Sequence, residues 1–305
     1  MEFAMTHRIA RLLALLVAFG LFHVFPAAAK EVSLRHGGIT LHGILELAPG
    51  RTLADGVILM VHGTMAHLDF STMRETRGLL RARGYSALAV NLGLGVDARR
   101  GMFDCERAST HRFGDALDEI GAWLDWLQAS GAKRVVLFGF SRGGQQAAWF
   151  AAERDHAALA SLVLLAPINP AESAQPARYE AQFGRRLEPV LEQARALARS
   201  GQGGAWLKNV AFLTCPDTSV TAESFLSYYA TDPRLEMPAL LKRLNKPALV
   251  VVAGADQIVR GLDKHLAPLA DGRRLRLAVI SGADHFFRDL YGEDAVDEIA
   301  KFLRP

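Results

Sequence analysis

The stretch "LFGFSRGGQQAAW", Leu137 to Trp149, decides the fold. It begins apolar, passes through Gly139, Ser141, Gly143 and Gly144, and ends rich in alanine. That order reads as a strand, a sharp turn and a helix. A turn this tight needs small neighbours, because strand and helix backbones pass close together, and it lifts the serine hydroxyl clear of the strand. The glycines alone do not make Ser141 a nucleophile, since a simple turn feeding a helix has the same pattern. The rest of the chain has to decide.

Outward from this turn, apolar runs alternate with amphipathic ones. "GVILMVHG" (56–63), "YSALAVNL" (85–92), "LASLVLLAPI" (159–168), "PALVVVAGAD" (247–256) and "LRLAVISGADH" (275–285) read as strands, several buried on both faces. "EVSLRHGGITLHGILEL" (31–47) reads as two strands around Gly37 and Gly38. Helical spacing appears near 71–83, through Phe113, Leu117, Ile120, Leu124 and Leu127, and in "GEDAVDEIAKFL" at the end. This alternation predicts an α/β fold with a mostly parallel central sheet flanked by helices. The rhythm breaks over 169–246, where no buried strand is legible. There a stripe from Tyr179 through Phe183, Leu187 and Ala194 predicts a helix that Pro189 kinks or splits. We expect a core of residues 30–168 and 247–305 and a helical cap of 169–246 over the strand ends, where function concentrates in such sheets.

The N-terminus stands apart. Arg8 and Arg11 precede "LLALLVAFGLFHVF" and then "PAAAKE", the parts of a cleavable secretory signal. The apolar run is short for a bilayer span and contains His23. The expectation is an exported protein, periplasmic or secreted, cleaved after Ala29 and without a stable membrane anchor. Cleavage removes Arg8, Arg11 and Glu2, lowering the formal charge of +3 by one. A near-neutral domain gives no reason to expect nucleic acid as a partner. The two cysteines, Cys105 and Cys215, fit no zinc spacing. In an exported chain they are a candidate disulfide, with two buried thiols as the alternative.

A serine hydroxyl needs a base. Among ten histidines, His285 in "SGADHFF" ends the last strand, where a base is well placed. Asp256 in "AGADQIV" ends the preceding strand and can orient that base, or cap the segment after it. Glu172 and Asp284 are rivals; Asp284 cannot easily turn onto its neighbour's ring. "MVHGTMAH" places Gly63 and Thr64 after another strand, so the backbone N–H groups of Thr64 and Arg142 are candidates for an oxyanion hole. His62 reads as a brace for that loop rather than a second base.

With "HGT" (62–64), "GFSRGG" (139–144), "GADQIV" (254–259) and "GADHFF" (282–287) in this order, the chain resembles the α/β-hydrolase superfamily, and within it exported bacterial hydrolases of the esterase type. The resemblance implies hydrolysis of a small ester-like substrate through an acyl-enzyme, with Ser141, His285 and Asp256 as catalytic residues and neither metal nor organic cofactor. Lipases, thioesterases and peptidases share this machinery, and a silent hydrolase fold that only binds is the other class. Phe140 stands where many members have His, and "NLGLGVDARRG" lacks a common Gly-His-Gly turn. A serine at 141 argues against the branches that need a carboxylate nucleophile.

Pocket candidates are Met65, Phe140, Arg142, His111, Phe212, Tyr228 and Tyr229. Arg142 is either a handle for an anionic substrate group or a strut paired with a carboxylate. His111 either projects into the pocket or caps the following helix. The aromatic residues line an acyl site or form the cap's own core. Cys105 lies in a loop and Cys215 in the cap, so a bond between them would staple cap to core.

Overall fold

The computed structural model describes residues 29–169 and 175–304. All of the predicted signal segment but Ala29, and Glu172, lie outside the described residues.

Strands β1 (Lys30–His36) and β2 (Ile39–Glu46) form an antiparallel hairpin. Then follow β3 (Val57–Val61), α1 (Ser71–Ala82), β4 (Ala87–Val90), α2 (Asp115–Ala129), β5 (Val135–Phe140), α3 (Arg142–Glu153) and β6 (Leu159–Leu165). The inserted segment holds α4 (Gln175–Phe183), α5 (Glu188–Arg199), β7 (Trp206–Phe212), β8 (Cys215–Thr221) and α6 (Ala222–Tyr229). The chain closes with α7 (Met237–Arg243), β9 (Ala248–Ala253), α8 (Leu262–Leu266), β10 (Leu275–Ile280) and α9 (Leu290–Leu303). The main sheet has eight strands in the order β1-β2-β4-β3-β5-β6-β9-β10. Only β1 and β2 run against their neighbours; every pairing from β4 to β10 is parallel.

The continuous apolar runs follow from burial on both faces. Successive side chains of a strand point to opposite sides. In β3, Val57, Leu59 and Val61 enter one core with Trp123 of α2 and Phe150 of α3. Ile58 and Met60 enter the other with Met73 of α1 and Ile299 of α9. Met237, Leu240 and Leu241 of α7 also pack in the first core.

One expectation changes in the insertion. It contains a buried strand pair, the β7–β8 hairpin, which brings Phe212 and Val220 into a third core. The cap is therefore mixed rather than purely helical. The Tyr179 stripe is two helices, and Pro189 occupies the first turn of the second. A proline is tolerated there because that N–H has no helical partner in any case. The chain turns between them at Gly184, whose φ is +63°.

Candidate active site

Ser141 stands between the end of β5 and the start of α3 with φ 54° and ψ −119°. An L-residue rarely adopts this conformation, and it costs about 1–3 kcal/mol. The surroundings hold it there. A Cβ on Gly139 would collide with the Gly143 carbonyl, and one on Gly143 with the His62 carbonyl. A Cβ on Gly144 would lie 2.9 Å from Cβ of Pro167. The three glycines let the turn press against the loop after β3 and the end of β6.

His285 Nε2 lies 3.0 Å from Ser141 Oγ, and its Nδ1 lies 2.7 Å from Asp256 Oδ2. All three residues are buried. They arrive from β5, from the loop after β9 and from the loop after β10, three parallel strands that end on one side of the sheet. The other oxygen of Asp256 accepts the Ile258 and Val259 N–H groups at 2.7 and 2.8 Å. Capping and orienting thus occupy different oxygens of one carboxylate. Burial opposes ionisation of Asp256, but the His285 hydrogen bond, the Val259 and Ile258 amides and the histidine's charge outweigh it. Its carboxyl is held below the usual range. Of its rivals, Asp284 instead accepts the Phe286 N–H and pairs with Arg288.

Gly63 passes so close that an added Cβ would lie 3.2 Å from Ser141 Cβ. Among the described residues, the backbone N–H groups of Thr64 and Arg142 donate to no protein acceptor. Arg142 opens α3, where the first amides have no helical partner and the helix dipole favours negative charge. His62 braces this loop. Its Nδ1 lies 2.8 Å from the Gly63 carbonyl, while its Nε2 receives the Leu92 amide and an Arg99 Nη2–H. Those donors leave the proton on Nδ1. Burial first, then the Arg99 charge, push its pKa down to about 3 despite the Gly63 bond, so the ring is neutral.

Ser141 and His285 open into a cavity of about 500 Å³. Phe140, Arg142, Tyr228 and Tyr229 line it, as do Phe70, Phe183, Phe286 and Ile258. Met65, His111 and Phe212 do not. Met65 and Phe212 are buried in the cap core. His111 is enclosed by Phe103, Phe212 and Tyr228, and its Nδ1 lies 2.9 Å from the Tyr228 hydroxyl. The Arg142 side chain forms no ion pair among the described residues. Its Nε donates to Thr64 Oγ1 at 3.0 Å, and its guanidinium lies over the rings of Tyr228 and Phe113. Cys105 and Cys215 are disulfide-bonded.

The sequence reading passed over Gln175, Arg178 and Gln182 of α4, which also line the cavity. Their spacing of three and four residues puts them on one helix face. That polar row beside the Tyr179 stripe was the available signal.

Residues 58–302 match the sequence model of the alpha/beta hydrolase family. The chain belongs to that family. Solved structures of similar fold include an esterase of Butyrivibrio proteoclasticus with bound ferulic acid, at 18% identity and a TM-score of 0.63, covering 89% of this chain and 97% of that one. The alpha/beta hydrolase GrgF of Penicillium sp. sh18 is similar at 16% identity and a TM-score of 0.64, covering 90% and 96%. A monoacylglycerol lipase of Paleococcus ferrophilus is similar at 18% identity and a TM-score of 0.58, covering 86% and 98%. At these identities the likeness is one of fold.

Proposed function

We propose that this α/β hydrolase is an exported serine hydrolase that cleaves carboxylic esters through an acyl-enzyme. The observation that carries the reading is the hydrogen-bonded chain from Asp256 through His285 to Ser141, ending in the cavity. His285 Nε2 takes the Ser141 proton as Oγ attacks the ester carbonyl. The carbonyl oxygen becomes an oxyanion, received by the Thr64 and Arg142 amides. Asp256 keeps the His285 proton on Nδ1 and supports the imidazolium. The imidazolium then protonates the leaving alcohol. Water, deprotonated by His285, releases the acid and restores Ser141.

The lipase and esterase neighbours support ester hydrolysis, and the ferulic acid held by the Butyrivibrio enzyme supports a small carboxylic ester as substrate. The Cys105–Cys215 disulfide supports export, because such bonds persist in oxidising compartments. Among the described residues, no helix is long and apolar enough to cross a membrane.

The test is labelling by a fluorophosphonate, together with a panel of esters, thioesters and amides, on wild type and Ser141→Ala. Labelling and ester turnover that both vanish in the variant are expected. A well-folded wild type that neither labels nor hydrolyses any ester refutes the reading.

A further inference from the structure

Among the described residues, the wall of the cavity contains two arginines, Arg142 and Arg178, and no carboxylate. Arg142 uses one of its five N–H groups, on Thr64 Oγ1. Arg178, half-buried on α4, makes no hydrogen bond or ion pair among the described residues. Burial lowers the pKa of both guanidiniums; at Arg178 the charge of Asp256 opposes this, and at Arg142 the charge of Arg178 adds to it. That carboxylate is already held by His285 and two amides. Two like charges, half withdrawn from water and without an ion-pair partner among the described residues, are unfavourable unless an anion joins them.

The rest of the wall suggests which anion. Phe70, Phe183, Phe286 and Ile168 make much of the remaining wall apolar, with Gln175 and Gln182 of α4 among its polar groups. A carboxylate has two oxygens with about four acceptor sites, which two guanidinium edges satisfy.

We propose that Arg142 and Arg178 form an anion subsite beside Ser141, and that the preferred substrate is an ester carrying a free carboxylate besides the scissile bond. This rests on the reading of Ser141 as the nucleophile. Hydrolysis consumes one water and leaves the second carboxylate untouched, on whichever product carried it.

The test compares charged esters with their neutral methyl esters. Mono-para-nitrophenyl adipate carries the carboxylate on the acyl side, and para-acetoxybenzoate carries it on the leaving side. The expected result is that kcat/KM for the charged member of at least one pair exceeds that of its methyl ester by about tenfold or more. Arg178→Gln should cut that ratio by about tenfold, through KM, with Arg178→Lys restoring part of it. Equal rates within both pairs, or an Arg178→Gln variant that slows both members alike, overturn the subsite. Binding without chemistry separates the two readings. Adipate or para-hydroxybenzoate should raise the Tm of Ser141→Ala, and the rise should disappear in Ser141→Ala/Arg178→Gln. If no ester is hydrolysed but this Arg178-dependent rise persists, the serine reading falls and the subsite stands. If neutral esters are hydrolysed and neither anion raises the Tm, the subsite falls and the serine reading stands.

Discussion

Reducing the Cys105–Cys215 bond should lower the melting temperature by about 7–8 °C. The bond joins residues 110 apart in the chain. Opening a loop of that length returns about 4.8 kcal/mol of conformational entropy to the unfolded chain. Unfolding entropy near 2.1 cal/mol/K per residue amounts to about 0.6 kcal/mol/K for a chain of this length, and the quotient of the two is the predicted shift. Reduction is a cleaner perturbation than substitution. Cys215 is buried, with Sγ 3.9 Å from Met65 Sδ, so truncating it would add a cavity to the lost cross-link. Reduced protein keeps both sulfurs. The assay is calorimetry with and without a phosphine reductant, with thiols counted under denaturing conditions. Cys105→Ser, at a half-buried position, should reproduce the reduced melting temperature. A shift under about 2 °C with both thiols free would refute the reasoning, as would two titratable thiols in untreated protein.

Asp256→Asn should lower kcat about ten-thousandfold with little change in stability, because the amide can still accept the Ile258 and Val259 N–H groups but presents N–H to His285. Matched kinetics and thermal melts check this. Gly143→Ala should destabilise by about 2–3 kcal/mol, since its Cβ would also fall 2.6 Å from the Val61 carbonyl oxygen. Urea melts read it, and a loss below about 0.5 kcal/mol would contradict the close approach. Glu119 accepts the Gly93 N–H at 2.6 Å, yet burial lifts its pKa to about 7 against that bond and the Arg99 charge. Its unfolded value is near 4.3, so between about pH 4.3 and 7 the folded chain binds the extra proton and stability falls as pH rises. Glu119→Gln removes that titration, so its Tm should exceed wild type at about pH 8 and match it near pH 4. Equal Tm differences at both pH values would show that Glu119 does not titrate in this way.

The sheet was legible because its strands are apolar on both faces, and the site because Ser141, Asp256 and His285 each follow a strand on the same side. The β7–β8 hairpin was not. Its two pairing irregularities and the positive φ of Asn209 and Leu213 break the alternation that marks a strand. Pro216 within "TCPDTSVT" reads as a turn, yet it is exposed on a two-stranded hairpin where both strands are edges. The pocket was half legible for a similar reason. His111, Phe212 and Tyr228 all belong to one aromatic cluster, and only Tyr228 also reaches the cavity. Sequence shows that such residues cluster, but which of them forms the cluster's outer skin depends on how the cap docks.

The same sulfur bond has a topological consequence. It closes a covalent ring from residue 105 to 215 that contains Ser141, Arg142 and Arg178, while Asp256 and His285 lie outside it. A peptide bond cut anywhere inside that ring leaves a single covalent molecule. A cut between the ring and β9 would instead free the base and its acid as a separate piece. The exposed turns of the cap that precede Cys215 are therefore places where cleavage nicks without dividing.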